Sequence, residues 1–397
     1  MNSITWQRPP PAPYTIVACI PIRNEAERII SCLQSFASQD YDAPFDLLLL
    51  LNNCTDRTGE LVRAFAGPPA MRLHVHERLF PAHQANAGYA RHTAMQAARQ
   101  LAGPYGVLLC TDADATVPPD WIRRNILAIT QGADAVAGRI EMDNEDFRKL
   151  PDRLHEDEAS AQLLTCLLDA IDCIIDPDPL DPWPRHAEHS GASIAVTCAA
   201  HDAAGGIPAI PCAEDRAFFA ALRRIDARIR HAPDVLVTVS GRLEGRAEGG
   251  MADTLRRRLV RRDEWLDDCI EPAADRLRRA TIRSRLRSIR DEALRNGTPW
   301  QDTDELAGAL GLPFAVVAQF TQAGAFGAAW QALETRSPAL RRGLVRATRV
   351  PTEIASARRI LAQRRKIGIA IAAAALHSTS CSVNRRGTPA PIGALGH

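Results

Sequence analysis

The sequence predicts an α/β fold: a mostly parallel sheet flanked by helices, followed by a C-terminal α-helical extension. Three observations predict it. Short apolar runs alternate with segments of helical periodicity from residue 15 to residue 142, the pattern of parallel strands joined by crossover helices. The strand-like runs, such as FDLLLLLNN at 45–53, are apolar at consecutive positions, as strands covered on both faces are. The charge also changes sign along the chain. Residues 1–250 hold 23 Arg and Lys against 33 Asp and Glu, a balance of −10; residues 251–397 hold 25 against 14, a balance of +11. With 397 residues the chain is long for one compact unit, and the charge break near residue 250 marks a boundary.

The elements follow in order. Residues 1–13 are proline-rich and predict a flexible arm. TIVACI (15–20) is a β-branched apolar run and predicts the first strand. NEAERIISCLQSFASQ (24–39) has apolar residues at 29, 30, 33 and 36, a helical period, with Asn24 as its cap. FDLLLLLNN (45–53) is the second strand, and a polar turn leads to a helix over 59–65. MRLHVHE (71–77) alternates as a third strand, and ANAGYARHTAMQAARQLA (85–102) reads as a helix. YGVLLCTDAD (105–114) is a fourth strand, and PPDWIRRNILAIT (118–130) a helix with proline at its start. ADAVAGRIEM (133–142) is a fifth strand, 154–176 a helix, 192–198 a strand, and 227–242 a strand pair. AEDRAFFAAL (213–222) is a helix opening on two acids. Residues 251–366 are mainly helical and arginine-rich, and the last twenty residues have a disordered composition.

Ligands of parallel sheets bind beyond the carboxyl ends of the strands. The polar residues at those ends are Asn24 and Glu25, Asn52 and Asn53, and Asp112 and Asp114. Each has a plain reading beside a functional one. Asp112 and Asp114 suit a solvated turn, or they hold a hard cation such as Mg²⁺ or Mn²⁺ together with substrate phosphates. Glu214 and Asp215 suit the start of a helix, or one of them is a general base. Arg91 is a helix-surface arginine, or a cation for a phosphate or a base. The segment RRRLVRR (256–262) is a solvated helix face, or a patch for an anionic membrane surface.

Some classes are excluded. The ten cysteines include no CxxC pair and no zinc spacing with histidine, which argues for a reducing cytoplasm. The longest late apolar run, 367–376, is about half a membrane span. The arginines lack interleaved aromatics, so no nucleic-acid partner is expected. Arginine far outnumbers lysine, which occurs only at 149 and 366, a bias of GC-rich bacterial genomes.

Five stretches together resemble family 2 glycosyltransferases of the GT-A (Rossmann-like) fold, over about residues 14–250. IPIRNEAERI resembles that family's Pro-x-x-Asn-Glu strand motif, and LLLLNNCTDRTGEL its second-strand motif. NAGYARHTA resembles its Gly-x-x-Ala-Arg segment, and TDADATVPPDWI its metal-binding DxD. GASIAVTCAAHDAAGGIPAIPCAEDRAFFAAL resembles its acceptor segment, which ends in the Glu-Asp pair. The resemblance implies that Pro21, Asn24, Glu25 and Asn53 line a nucleoside pocket and that Arg91 contacts the base or a phosphate. It places Asp112 near the ribose and Asp114 on a divalent metal. Asp215 is then the base of an inverting displacement, with Glu214 beside it, and Gly191, Ala192 and Ser193 lie beneath the sugar or acceptor. Arg242 stands where some relatives carry a late metal ligand and would contact the diphosphate. Asn52 and Asn53 replace the usual aspartates. The implied protein transfers a sugar from a nucleotide-sugar donor to an acceptor hydroxyl. A donor-binding protein without catalysis and a transferase acting on a membrane lipid are the alternatives. The implied division is an arm (1–13), a transferase domain (14–250, donor half 14–142 and acceptor half 143–250), a helical extension (251–377) and a tail (378–397). The protein would be cytoplasmic, with the 256–262 arginines as a peripheral contact to the inner membrane face.

Overall fold

The computed structural model describes residues 14–245, 249–296, 303–321 and 324–364; the expected arm and tail lie outside them. Among the described residues a seven-stranded sheet runs in the order β3-β2-β1-β4-β6-β5-β7. Its strands are β1 (Ile16–Ile22), β2 (Phe45–Asn52), β3 (Met71–Arg78), β4 (Val107–Cys110), β5 (Ala135–Met142), β6 (Ile194–Thr197) and β7 (Ile229–Val239). All neighbours are parallel except β6, which runs antiparallel to both β4 and β5. The helices of this part are α1 (Ile29–Ala37), α2 (Thr58–Ala64), α3 (Ala87–Ala102), α4 (Trp121–Thr130), α5 (Asn144–Arg148), α6 (Asp152–Ile175), α7 (Cys198–Ala203) and α8 (Glu214–Arg224). The extension carries α9 (Met251–Val260), α10 (Ala273–Asn296), α11 (Thr303–Leu310), α12 (Phe314–Thr321), α13 (Phe326–Arg336) and α14 (Val350–Gln363).

The consecutive apolar residues of β1 and β2 serve two cores, because successive side chains leave a strand on opposite faces. Ile16, Ala18, Ile20 and Ile22 join Phe45, Leu47, Leu49 and Leu51 on the face covered by α1 and α4. Val17, Cys19, Leu48 and Leu50 face α3 and α8 instead. A third cluster joins Leu164, Leu168 and Ile171 of α6 to Ala273 of α10 and to Val350, Ala357 and Leu361 of α14. The extension therefore shares a core with α6.

Two elements differ from expectation. The first helix begins at Ile29, not near Asn24, and its N-cap Arg28 makes no side-chain cap bond. Asn24 has φ 53°, a left-handed conformation that no helix continues through. Residues 227–242 form one strand rather than a pair. Its register to β5 jumps from Ala232↔Gly138 to Leu236↔Arg139, so residues 233–235 bulge out where Pro233 has no N–H to give a ladder.

Candidate active site

The donor-side loop begins where β4 stops. The last rung is Thr111 N–H donating to Cys19 O at 3.3 Å. Ala113, Ala115 and Val117 are buried in the core beside α1 and α4, so the intervening Asp112 and Asp114 are turned away from that core. The loop is tied at its far side by Thr116 N–H to Thr238 O, 2.8 Å, and Thr238 N–H to Thr116 O, 3.0 Å. The spacing of the acids is thus the spacing of small buried anchors.

The loop after β1 is held by the loop after β2. Asn24 Oδ1 accepts from Thr55 N–H at 2.7 Å, Glu25 N–H donates to Thr58 Oγ1 at 2.8 Å, and Ala26 N–H donates to Asp56 Oδ2 at 3.1 Å. Thr58 itself donates to Asp56 Oδ1 at 2.5 Å. Burial alone would raise the Asp56 pKa, but these hydrogen bonds hold it below the usual carboxylate value. Sequence reading assigned no role to Thr55, Asp56 or Thr58, although the polar turn that contains them was visible. Pro21, half-buried, lies past the last β1–β4 partner, Cys19↔Cys110, where a missing N–H costs no rung.

The acceptor side is gathered by Arg91 of α3, 5% exposed. Its Nε donates to Glu214 Oε1 at 2.9 Å, and its Nη1 and Nη2 donate to Asp112 Oδ1 at 3.1 and 2.9 Å. Nη1 also donates to Gly191 O at 3.2 Å. Burial opposes the guanidinium charge, yet Asp112, Cys110, Glu214 and Asp215 outweigh it and raise the Arg91 pKa. Arg91, expected to contact base or phosphate, is turned inward onto these protein groups. Burial pushes the Glu214 carboxyl up, against the pull of Arg91. Ala213 ahead of it has φ 60°, a strained turn for a residue with a Cβ, which places Glu214 and Asp215 at the start of α8. Asp215 is half-buried; its Oδ2 accepts from Gly191 N–H at 2.8 Å and its Oδ1 from Arg216 N–H at 2.7 Å.

Other expected residues serve the framework. The Asn53 amide is closed on Phe80: Nδ2 donates to Phe80 O and Oδ1 accepts from Phe80 N–H, both at 2.9 Å. Asn52 is 1% exposed, and its Oδ1 has no hydrogen-bond partner. Ala192 and Ser193 are each 1% exposed, and Trp121 Nε1 donates to Ser193 Oγ at 3.4 Å. They form the floor under Gly191 rather than its surface.

Glu25, Asp112 and Asp114 crowd around Cys32. The thiol donates to Asp112 O at 3.7 Å, and burial, then Asp114, Asp112 and Glu25, push its pKa well up. Arg242 stands among these acids. It forks onto Glu25, with Nη1–Oε2 and Nη2–Oε1 at 2.5 Å, and Nη2 lies 3.2 Å from Asp114 Oδ2. Burial and then Asp112 raise the Asp114 pKa to about 6, with Arg242 pulling the other way. Across the whole site five carboxylates, of Glu25, Asp112, Asp114, Glu214 and Asp215, face the guanidiniums of Arg91 and Arg242. That surplus of acid suits a divalent cation. Among the described residues, however, no group of three or more His, Cys, Asp or Glu side chains converges as a ready cage. The residues therefore fit a hard cation that arrives with phosphate oxygens to complete its shell.

Residues 17–199 match the model of the family described as Glycosyl transferase family 2. The glycosyltransferase AglE of Haloferax volcanii is 31% identical over 124 residues, which are 31% of this chain and 38% of that protein. An undecaprenyl-phosphate 4-deoxy-4-formamido-L-arabinose transferase of Pectobacterium carotovorum is 30% identical over 135 residues, 33% of this chain and 38% of the relative. The chain thus spans under two-fifths of the length of these relatives. Among solved structures, S. aureus TarS 1-349 in complex with UDP-GlcNAc is 16% identical, with a TM-score of 0.44, over 81% of this chain and 91% of that one. The mannosyltransferase PcManGT of Pyrobaculum calidifontis, in complex with GDP-Man and Mn²⁺, is 17% identical, with a TM-score of 0.41, over 94% and 81%. Scores this low add nothing to what the sheet itself shows. Over residues 17–199, just under half of its length, the chain is similar to glycosyl transferase family 2.

Proposed function

We propose that the protein transfers a sugar from a nucleoside-diphosphate sugar to an acceptor hydroxyl with inversion, Asp114 holding a divalent metal and Asp215 acting as general base. The observation that carries the proposal is the Arg91 bridge. One buried guanidinium bonds both Asp112 of the donor-side loop and Glu214, so donor and base are fixed relative to each other. The match of residues 17–199 to the family model supports transferase chemistry. Asp215 is the better base of the two acids. Glu214 is buried and engaged by Arg91, whereas Asp215 is half-buried and oriented by Gly191 N–H. Each of its oxygens keeps a lone pair beyond its one backbone bond. Asp215 takes the proton of the acceptor hydroxyl as that oxygen attacks the anomeric carbon. The bond from that carbon to the β-phosphate oxygen breaks, and the nucleoside diphosphate leaves. A divalent metal, when bound, would neutralise charge developing on the diphosphate, with Asp114 as its protein ligand.

A membrane-lipid acceptor is a second reading, favoured by the similarity to the undecaprenyl-phosphate transferase of Pectobacterium carotovorum. No helix of the described residues is long and apolar enough to cross a membrane. The 256–262 arginines lend this reading little support. Arg256 pairs with Asp253, Arg257 and Arg258 with Asp263, Arg258 also with Glu158, and Arg262 with Asp157.

The test is a thermal-shift screen of nucleotide sugars with and without Mn²⁺, followed by turnover of wild type and Asp215→Asn on the stabilising donor. A selectively bound donor raises Tm by mass action. Asp215→Asn is expected to keep that shift and lose turnover by 10²-fold or more, on the order of a lost general base. Loss of donor binding in the variant would sink the assignment of Asp215. Binding without turnover in wild type, on every acceptor tried, would favour a donor-binding protein.

A further inference from the structure

The donor site contains a cation of its own. Arg242 follows β7, and its backbone is fixed on both sides. Arg242 N–H donates to Ser240 Oγ at 3.2 Å, and Gly241 N–H donates to Asp146 Oδ2 at 3.0 Å. Gly241 has no room for a side chain, since a Cβ there would lie 2.5 Å from Met142 Sδ. From this support the guanidinium reaches across 217 residues of sequence to Glu25. Its two contacts are unequal. The fork onto Glu25 is bidentate at 2.5 Å, whereas the approach to Asp114 is single and longer, at 3.2 Å. Bidentate charged pairs are the stronger kind, so the Asp114 contact is the one that yields. The Arg242 charge is permanent, because guanidinium does not lose its proton in proteins. A metal ion on Asp114 would meet that charge at contact distance.

We propose that Arg242 is a resident counter-cation of Asp114, which a divalent metal must displace before it binds. The proposal rests on the donor-site reading above. In the donor-free protein Arg242 neutralises Asp114 and keeps metal affinity low. The diphosphate of an arriving donor offers the guanidinium new acceptors and draws it from Asp114, while Glu25 keeps hold of its other side. Metal and donor then enter together, and each raises the affinity for the other, as linkage requires.

The experiment is a Mn²⁺ titration of the full chain, read as the free Mn²⁺ signal in electron paramagnetic resonance. It uses wild type, Arg242→Gln, Arg242→Lys and Asp114→Asn, each alone and with UDP or GDP as probe. Without nucleotide, Arg242→Gln is expected to bind Mn²⁺ at least ~10-fold tighter than wild type. Arg242→Lys should fall between them, because one ammonium cannot fork onto Glu25 and still reach Asp114. Asp114→Asn should abolish Mn²⁺ binding. The gain in Mn²⁺ affinity on adding nucleotide should be larger in wild type than in Arg242→Gln. If Arg242→Gln does not fold, Arg242→Lys decides: tighter binding supports the proposal and unchanged binding overturns it. Unchanged or weaker Mn²⁺ binding in the Arg242 variants, with Asp114→Asn abolishing it, overturns the counter-cation and leaves Asp114 as the metal ligand. No Mn²⁺ bound by any of the proteins, with or without either nucleotide, overturns the metal reading and this inference with it.

Discussion

A methyl group at Gly191 would have nowhere to go. A Cβ there would lie 2.4 Å from both Cζ and Nη2 of Arg91, and Arg91 cannot swing aside while Asp112 and Glu214 hold it. Gly191→Ala must therefore lift the 189–193 loop or expel the arginine, and either event separates donor loop from base. Transfer is expected to fall by ~100-fold or more, the order that an ångström of misplacement costs. Stability should fall by about 1–3 kcal/mol for the overpacking. Steady-state turnover and a thermal melt measure both, and wild-type turnover would show that the Arg91 bridge is dispensable. The acids at this scale were legible because Asp112 and Asp114 end an apolar run. The uses of Asn53 and Arg91 were not. An amide or a guanidinium reads the same in sequence whether it meets a ligand or, as here, Phe80 and Glu214.

At the scale of elements, α6 joins the sheet-bearing part to the extension. Its sequence reads as an ordinary helix with acids, yet Asp169 and Asp172 within it and Asp176 at its C-cap are buried. Arg276 Nη1 of α10 donates to Asp172 Oδ2 at 2.9 Å, and Arg287 Nε to Asp176 Oδ1 at 3.1 Å, with Arg283 also on Asp176. Asp169 fares differently. Burial raises its pKa to about 7, against the pull of Arg276. A carboxyl whose folded pKa lies above its unfolded value destabilises the fold progressively as pH rises from the unfolded to the folded value, here from about 3.8 to about 7. Asp169→Asn removes that term. Its unfolding free energy is expected to exceed that of wild type at pH 8 by on the order of 4 kcal/mol, at about 1.4 kcal/mol per pKa unit, with a correspondingly higher Tm, and the gap should close as pH falls toward 4. Melting curves at pH 4, 6 and 8 test this, and a variant less stable than wild type at pH 8 would show that ionised Asp169 is an asset to α10.

For the whole molecule, the charge asymmetry finds an internal partner. The acid-rich first part and the arginine-rich extension meet where Arg276, Arg283 and Arg287 bind Asp172 and Asp176, and where Arg258 and Arg262 bind Glu158 and Asp157. The arginine excess that suggested a membrane contact is thus largely answered within the chain. The extension also covers Leu164, Leu168 and Ile171. A truncation after Gly250 is expected to aggregate, since those side chains and two buried aspartates lose their cover together, a patch that isolated domains do not tolerate. Size-exclusion chromatography and circular dichroism would decide, and a folded, monodisperse fragment that binds donor would show the extension to be separable.

The sequence by itself determined the strand-helix alternation, the two-sided cores and the acids at the strand ends, because each depends on periodicity within about ten residues. The expected start of the first helix failed where a distant group intervened, as Thr55 does at Asn24. The tertiary structure decided which charged groups stay available to a ligand. Arg91 and Glu214 are 123 residues apart, and Arg242 and Glu25 are 217 apart. Whether a carboxylate is free, bridged or held by a guanidinium depends on what the folded chain brings within about 3 Å of it, and no local pattern encodes that.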